Sequence, residues 1–279
     1  MTQITADKMN ELAEKIKKMS KYKDVDIPAD TILSLIELTY PISKNLADLE
    51  KRIREKIHNI TALYLGDIDY KKAIDEFREV KNDPSALEAF AQQKLAFHAS
   101  TKERGHDLAA LYQQLFGRIG PCKHIADLAC GIHPLGLPFM GLPLDTGYYA
   151  YDLNKARVDF LNVYIAEQGY SGGCFHQDIL IHPPSIDFDV VFFFKEAHRF
   201  EKRQPGIMCA FLDSIKASKI VVSLPLQSLG TSSELSPKYE KTLYMYATQY
   251  GWSFESFSHG NEVFYIIDKN VTYDKAPRC

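Results

Sequence analysis

Asp127-Leu128-Ala129-Cys130-Gly131-Ile132-His133-Pro134-Leu135 follows the apolar run 125–129 and places a glycine where a strand should end. An acidic strand end, small residues and then glycine let a backbone turn come close to a ligand. The stretch lacks the full Gly-x-Gly-x-x-Gly of a dinucleotide fingerprint, so taken alone it also reads as an ordinary strand-to-loop exit. Two further strand-like runs end in aspartate, at Asp152 and Asp178. Three acidic ends on consecutive strands point to one crevice that holds a polar, hydroxyl-bearing cofactor.

Downstream of that stretch the hydrophobic period is that of an alternating α/β chain. Strand-like runs lie at 124–129, 148–151, 173–176, 189–194 and 219–223, with helical patterns over 154–168 and 199–216. Such alternation implies a parallel sheet covered by helices on both faces. A helix over 237–250 leads to two last strands, 253–257 and 262–267, joined through 258–261. They form a closing hairpin at the edge of a doubly wound sheet. Ligands of such sheets sit at the carboxyl ends of the strands, where Asp127, Asp152 and Asp178 all fall.

Upstream, residues 1–97 read as helical throughout. Met9, Leu12, Ile16 and Met19 mark one face of a helix over 5–19. Pro28 opens a nearly all-apolar helix that stops near Pro41, and Ser43 is a plausible N-cap for the next. There Leu46, Leu49, Ile53, Ile57, Ile60 and Tyr64 line one face, and Lys51, Arg52, Arg54 and Lys56 the opposite one. That basic run, interrupted by Glu50 and Glu55, is either a solvated helix face or a phosphate-contacting surface. Lys15, Lys17, Lys18, Lys21 and Lys23 allow a second such patch. Shorter helices follow over 70–80 and 84–97. Ser100 and Glu103 then form a capping box for a helix running to about residue 118. Arg104 at that helix start suits a carboxylate.

The chain has 279 residues, 46% hydrophobic and 25% charged, with a net charge of −3. This composition is that of an ordinary soluble protein and is not the basic balance of a nucleic-acid binder, so an RNA substrate would need local positive charge. No apolar run suffices for a membrane helix and the N-terminus shows no signal-peptide core, which implies the cytoplasm and no membrane partner. Five scattered cysteines (Cys122, Cys130, Cys174, Cys209, Cys279) argue against both a disulfide framework and a metal site.

Four motifs together resemble one family. They are His98-Ala99-Ser100-Thr101-Lys102-Glu103-Arg104, Asp127-Leu128-Ala129-Cys130-Gly131, Gln177-Asp178-Ile179, and Val222-Ser223-Leu224-Pro225 with Ser228-Leu229-Gly230. In order and approximate spacing, over about 43–268, they are similar to the aminoglycoside-resistance 16S rRNA (guanine-N7) methyltransferases, the Arm and Rmt enzymes and actinomycete self-resistance enzymes. The resemblance implies a Rossmann-like class I S-adenosylmethionine-dependent methyltransferase domain over 98–279, preceded by an all-helical region over 1–97 that recognises the 30S subunit and its 16S rRNA. It implies methylation of N7 of a guanine in the decoding A site, with S-adenosyl-L-homocysteine as the product. It further implies that 98–104 holds the methionine end of the cofactor, with Arg104 on its carboxylate. Ala129 and Gly131 would lie against the cofactor, Asp152 would take the ribose hydroxyls, and Asp178 and Ile179 would frame the adenine. Phe194, Gln204 and Tyr64 fall near further cofactor contacts.

Two places depart from the family pattern. Ile132-His133 stands where Leu-Asn is usual, and Glu196-Ala197-His198 where Leu-Leu-Pro is usual after the lysine. These flank the methyl-transfer mouth and leave open a methyltransferase on the same scaffold acting on another base or a small molecule, or a noncatalytic ribosome-binding protein. Guanine N7 offers a free lone pair and no proton, so its methylation needs positioning and no general base. No catalytic base is therefore assigned. His133 is the candidate for altered acceptor contacts, and the loop 224–236 for bordering the base pocket.

Overall fold

The computed structural model describes residues 5–18, 26–61, 68–102, 104, 107–226 and 236–272. Three helices, α1 (Ala6–Lys17), α2 (Ala29–Thr39) and α3 (Leu46–Thr61), form a bundle with its own core of Ala13, Ile16, Ile32, Leu35, Ile36, Leu49, Ile53 and Ile57. The apolar positions of α3 recur at helical spacing, and Leu49, Ile53 and Ile57 are fully buried. Helices α4 (Tyr70–Val80) and α5 (Pro84–Leu95) start at Asp69 and Asp83, whose carboxylates each accept two backbone N–H groups of the first turn. Phe77 of α4 and Phe90 of α5 join the core of the sheet that follows.

Then come α6 (Ala99–Lys102), α7 (Leu108–Ile119), β1 (His124–Leu128), α8 (Leu137–Met140), β2 (Gly147–Asp152), α9 (Lys155–Glu167), β3 (Ser171–His176), β4 (Phe188–Phe194), α10 (Ala197–Arg203), α11 (Ile207–Ser214), β5 (Ala217–Pro225), α12 (Ser236–Tyr250), β6 (Trp252–His259) and β7 (Glu262–Thr272). The seven strands lie in the order β3-β2-β1-β4-β5-β7-β6. β1 to β5 are mutually parallel, and β7 runs antiparallel to both β5 and β6. The α/β sheet and closing hairpin read from the sequence are thus present. Central β4 shows why: Val190, Phe192 and Phe194 face one core, and Val191 and Phe193 the other. A strand buried on both faces reads as an unbroken apolar run.

Two helix expectations need correction. The pattern over 199–216 is two helices, because Pro205 and Gly206, the latter at φ 82°, interrupt it between α10 and α11. The single helix expected from Ser100 to about 118 is α6 and then α7. Asp107 caps α7 through the Ala110 N–H at 3.3 Å, so α7 has a start of its own downstream of 100–103. Glu103 lies outside the described residues, as do Tyr64, Lys21, Lys23 and most of the loop after β5.

Candidate active site

The carboxyl ends of β1, β2 and β4 and the chain just after β3 meet along one edge of the sheet. After β1 the backbone turns with Ala129 at φ 51° and Gly131 at φ 55°. A Cβ on Gly131 would meet only His98 Nδ1, at 3.9 Å, so the turn presents bare backbone to open space beside His98. Asp152 holds the turn: its Oδ2 accepts the Gly131 N–H at 3.0 Å and its Oδ1 accepts the Asn154 N–H at 2.8 Å. Arg157, fully buried on α9, donates Nη1 to both oxygens of Asp152 and Nε to the hydroxyl of Tyr70.

Asp127 is turned inward. Its Oδ2 accepts the Tyr148 hydroxyl at 2.7 Å and lies 2.7 Å from His133 Nδ1, while His133 Nε2 lies 2.7 Å from the Tyr112 hydroxyl. All four side chains are buried, so His133 braces the β1 turn from below and does not face an acceptor. Burial pushes the Cys130 thiol well above its usual value, which leaves it a packing group and no nucleophile.

Arg104 is buried between aromatic rings, its guanidinium carbon 4.9 Å from the Phe194 centroid and 6.0 Å from that of Phe264. It donates Nε and Nη2 to Glu262 at 2.6 Å each, and Lys195 Nζ lies 3.4 Å from the same carboxylate. Burial alone would raise the Glu262 carboxyl, but the charges of Arg104 and Lys195 and the hydrogen bonds outweigh it and hold it below the usual range. Glu262 opens β7, 158 positions along the chain, and carries no local motif. Thr101 closes its own short helix onto the carbonyls of Leu95 and His98, and Lys102 is exposed.

Asp178, just past β3, is also saturated. Oδ1 accepts the Leu180 N–H at 3.1 Å and Arg203 Nη1 at 3.0 Å. Oδ2 accepts the Thr31 hydroxyl at 2.8 Å and Arg203 Nη2 at 2.6 Å. Ile179 packs into the core beneath, and Gln204 ends α10 next to Arg203. Just past β4, Glu196 pairs with Arg199 at 2.8 Å. Burial pushes its carboxyl up to about 7, against the pull of Arg199 and with the help of Asp152. His198 is pushed down to about 4, chiefly by burial and then by Arg199 and Lys202, so it is neutral at pH 7.

Sequence reasoning did not find Thr31, Arg157, Arg203 or Glu262. Thr31, Arg203 and Glu262 are visible only through partners distant in the chain, and Arg157, five positions after Asp152, follows no motif that marks the pair. The basic face of α3 carries its own acidic partners: Lys51 pairs with Glu55, Arg52 with Asp48 and Arg54 with Glu50, all one turn apart. Exposed pairs of this kind contribute little to stability.

The strand order, the close-approach turn after β1 and the acidic residues on neighbouring strand ends define a Rossmann-like S-adenosylmethionine-dependent methyltransferase. The chain belongs to the ribosomal RNA methyltransferase (FmrO) family, which matches residues 18–266. The 16S rRNA (guanine(1405)-N(7))-methyltransferase of Micromonospora echinospora is 26% identical over 274 residues, covering 96% of this chain and 99% of that protein. The enzyme so named from Serratia marcescens is 28% identical over 202 residues, covering 72% and 75%. Among solved structures, the 16S rRNA methylase RmtB superposes with a TM-score of 0.74 at 23% identity, covering 94% of this chain and 98% of that one. RmtF, solved with S-adenosyl-L-homocysteine, gives 0.74 at 23% identity, covering 95% and 99%.

Proposed function

We propose that this protein transfers the methyl group of S-adenosylmethionine to N7 of the 16S rRNA guanine named in its relatives, position 1405, on the 30S subunit. Methylation there protects the ribosome from aminoglycosides and takes place in the cytoplasm. The supporting observation is the convergence of Arg104, the turn at Ala129–Gly131, Asp152 and Asp178 on one sheet edge, in a chain whose relatives carry that activity.

The donor set fits the cofactor. A guanidinium has five N–H donors, and the Glu262 contacts engage one on Nε and one on Nη2, which leaves a face for the methionine carboxylate. Residues 98–102 and Arg104 border that end, the bare turn at Ala129 and Gly131 accepts close approach, and Asp152 takes the ribose hydroxyls in exchange for one of the N–H contacts it makes here. Asp178 and Ile179 frame the adenine, with Phe194 and Gln204 alongside. S-adenosylmethionine supplies an electrophilic methyl on a sulfonium. The protein orients it and excludes water, and aligned reactants gain up to about 7–11 kcal/mol of barrier lowering. The guanine is brought out of its stack to reach the site. The helical region 1–97 docks on the subunit, its α3 face of Lys51, Arg52, Arg54 and Lys56 meeting phosphates.

The test is to incubate purified protein with unmodified 30S subunits and methyl-labelled S-adenosylmethionine, then map the label by chemical cleavage at N7-methylguanine. Label at one A-site guanine is the expected result; label elsewhere, or none, overturns it.

Glu196 separates this reading from transfer to a protonated nitrogen. N7 carries no proton, so Glu196→Gln is expected to leave methyl transfer intact. If Glu196 were a general base, activity would fall about 10²–10⁴-fold. Its folded carboxyl titrates above the unfolded value of 4.5, so ionising it costs stability as pH rises from about 4.5 to 7. Glu196→Gln should therefore stabilise the protein by about 1–2 kcal/mol at pH 8, discounted because the side chain is 21% exposed, and by nothing at pH 4. Thermal unfolding at the two pH values reads this directly.

A further inference from the structure

The helical bundle is seated on the ends of β2 and β3. Thr31, in the first turn of α2, donates its hydroxyl to Asp178 Oδ2 across 147 positions of chain, and both side chains are fully buried. A carboxylate offers about four lone-pair sites. Here all four are filled: one by Thr31, two by Arg203 of α10 and one by the Leu180 N–H. Three separate parts of the chain therefore set the plane of this one group. The seam continues in three weaker contacts. Asp30 Oδ2 lies 2.7 Å from His182 Nε2, His176 Nε2 lies 2.9 Å from the Asp26 carbonyl, and the Lys155 N–H donates to that carbonyl at 3.2 Å.

Without the Thr31 hydroxyl, Oδ2 loses its donor from the bundle side. The carboxylate is then held by Arg203 and its own turn alone, and is free to rotate toward Arg203. Such a rotation moves the turn at 178–180, including Ile179. We propose that Thr31 is a positioning residue for cofactor binding: a hydroxyl of the N-terminal bundle holds the Asp178 carboxylate and, through it, the turn that flanks the adenine. This rests on reading Asp178 and Ile179 as the adenine end of the site.

The test is calorimetric titration of the full chain with S-adenosyl-L-homocysteine. Thr31→Val is expected to weaken binding about tenfold, the effect of one hydrogen bond to a charged group. Thr31→Ser should restore it. His182→Ala, which cuts the neighbouring Asp30 contact and spares the Asp178 carboxylate, should bind like the wild type. In turnover assays Thr31→Val should raise KM for the cofactor and leave kcat and KM for the 30S subunit in place. Thr31→Ala carries the same expectation and decides the matter if the valine variant does not fold. Equal affinity of wild type and Thr31→Val overturns the assignment, and so does equal weakening by His182→Ala, which would mark a general effect of the seam. A wild type that binds no S-adenosyl-L-homocysteine would instead defeat the cofactor reading on which it stands.

Discussion

Arg104→Ala is expected to weaken S-adenosylmethionine binding by at least about a hundredfold and to destabilise the fold by about 3–5 kcal/mol, the cost of breaking a buried ion pair. The guanidinium does two jobs. It clamps Glu262 with two 2.6 Å hydrogen bonds while lying between Phe194 and Phe264, and it keeps donors for a ligand carboxylate. Truncation leaves Glu262 buried with Lys195 as its remaining cation, at 3.4 Å. A double substitution separates the two jobs. Glu262→Gln should recover much of the stability lost in Arg104→Ala but none of the binding. Recovery of binding in the double variant would show that Arg104 acts only by holding β7 in place. Linkage gives a second readout. The Glu262 carboxyl is held below its unfolded value of 4.5, so the pair's stabilisation is present above that pH and is lost as pH falls through the folded value. Acid unfolding should therefore be less steep in Glu262→Gln than in the wild type.

Gly172→Ala should cost about 3 kcal/mol or more in urea unfolding, through two additive causes. Gly172 sits in β3 at φ 98°, a conformation L side chains rarely adopt. A Cβ there would stand 2.3 Å from the Tyr148 carbonyl oxygen and 2.8 Å from its carbon, both backbone atoms of the paired strand β2. Neither can move without breaking the ladder that leads to Asp152. Gly120→Ala isolates the first cause, because Gly120 has φ 77° and open space around it. It should cost about 1–3 kcal/mol, the strain of a side chain held at φ 77° and ψ −171°. If the two variants lose equal stability, the clash at Tyr148 is relieved elsewhere and the close approach of β3 to β2 is not required.

The strands were legible because each leaves a local mark. The run Val190-Val191-Phe192-Phe193-Phe194 is apolar on both faces, and Gly131 stands where a turn needs positive φ. Asp152 closes β2 as read, whereas β3 ends at His176 and Asp178 lies in the chain just beyond it. Helix ends were less legible: Pro205 and Gly206 split one helical pattern in two, and α7 starts from its own cap at Asp107. The partners of the site residues were not legible at all. Arg104 read as a ligand for a carboxylate, and the fold shows it holding the carboxylate of Glu262, 158 residues away. His133 read as a change at the acceptor mouth, and the fold buries it between Asp127 and Tyr112. Thr31, in a segment that matched no motif, proved to touch Asp178.

The sequence by itself determined the sheet, the turn after β1 and the positions of the acidic strand ends, because period and turn chemistry act between near neighbours in the chain. The tertiary structure alone decided which charges meet. A buried carboxylate must find donors wherever the packed fold brings them, and that pairing leaves no spacing to read.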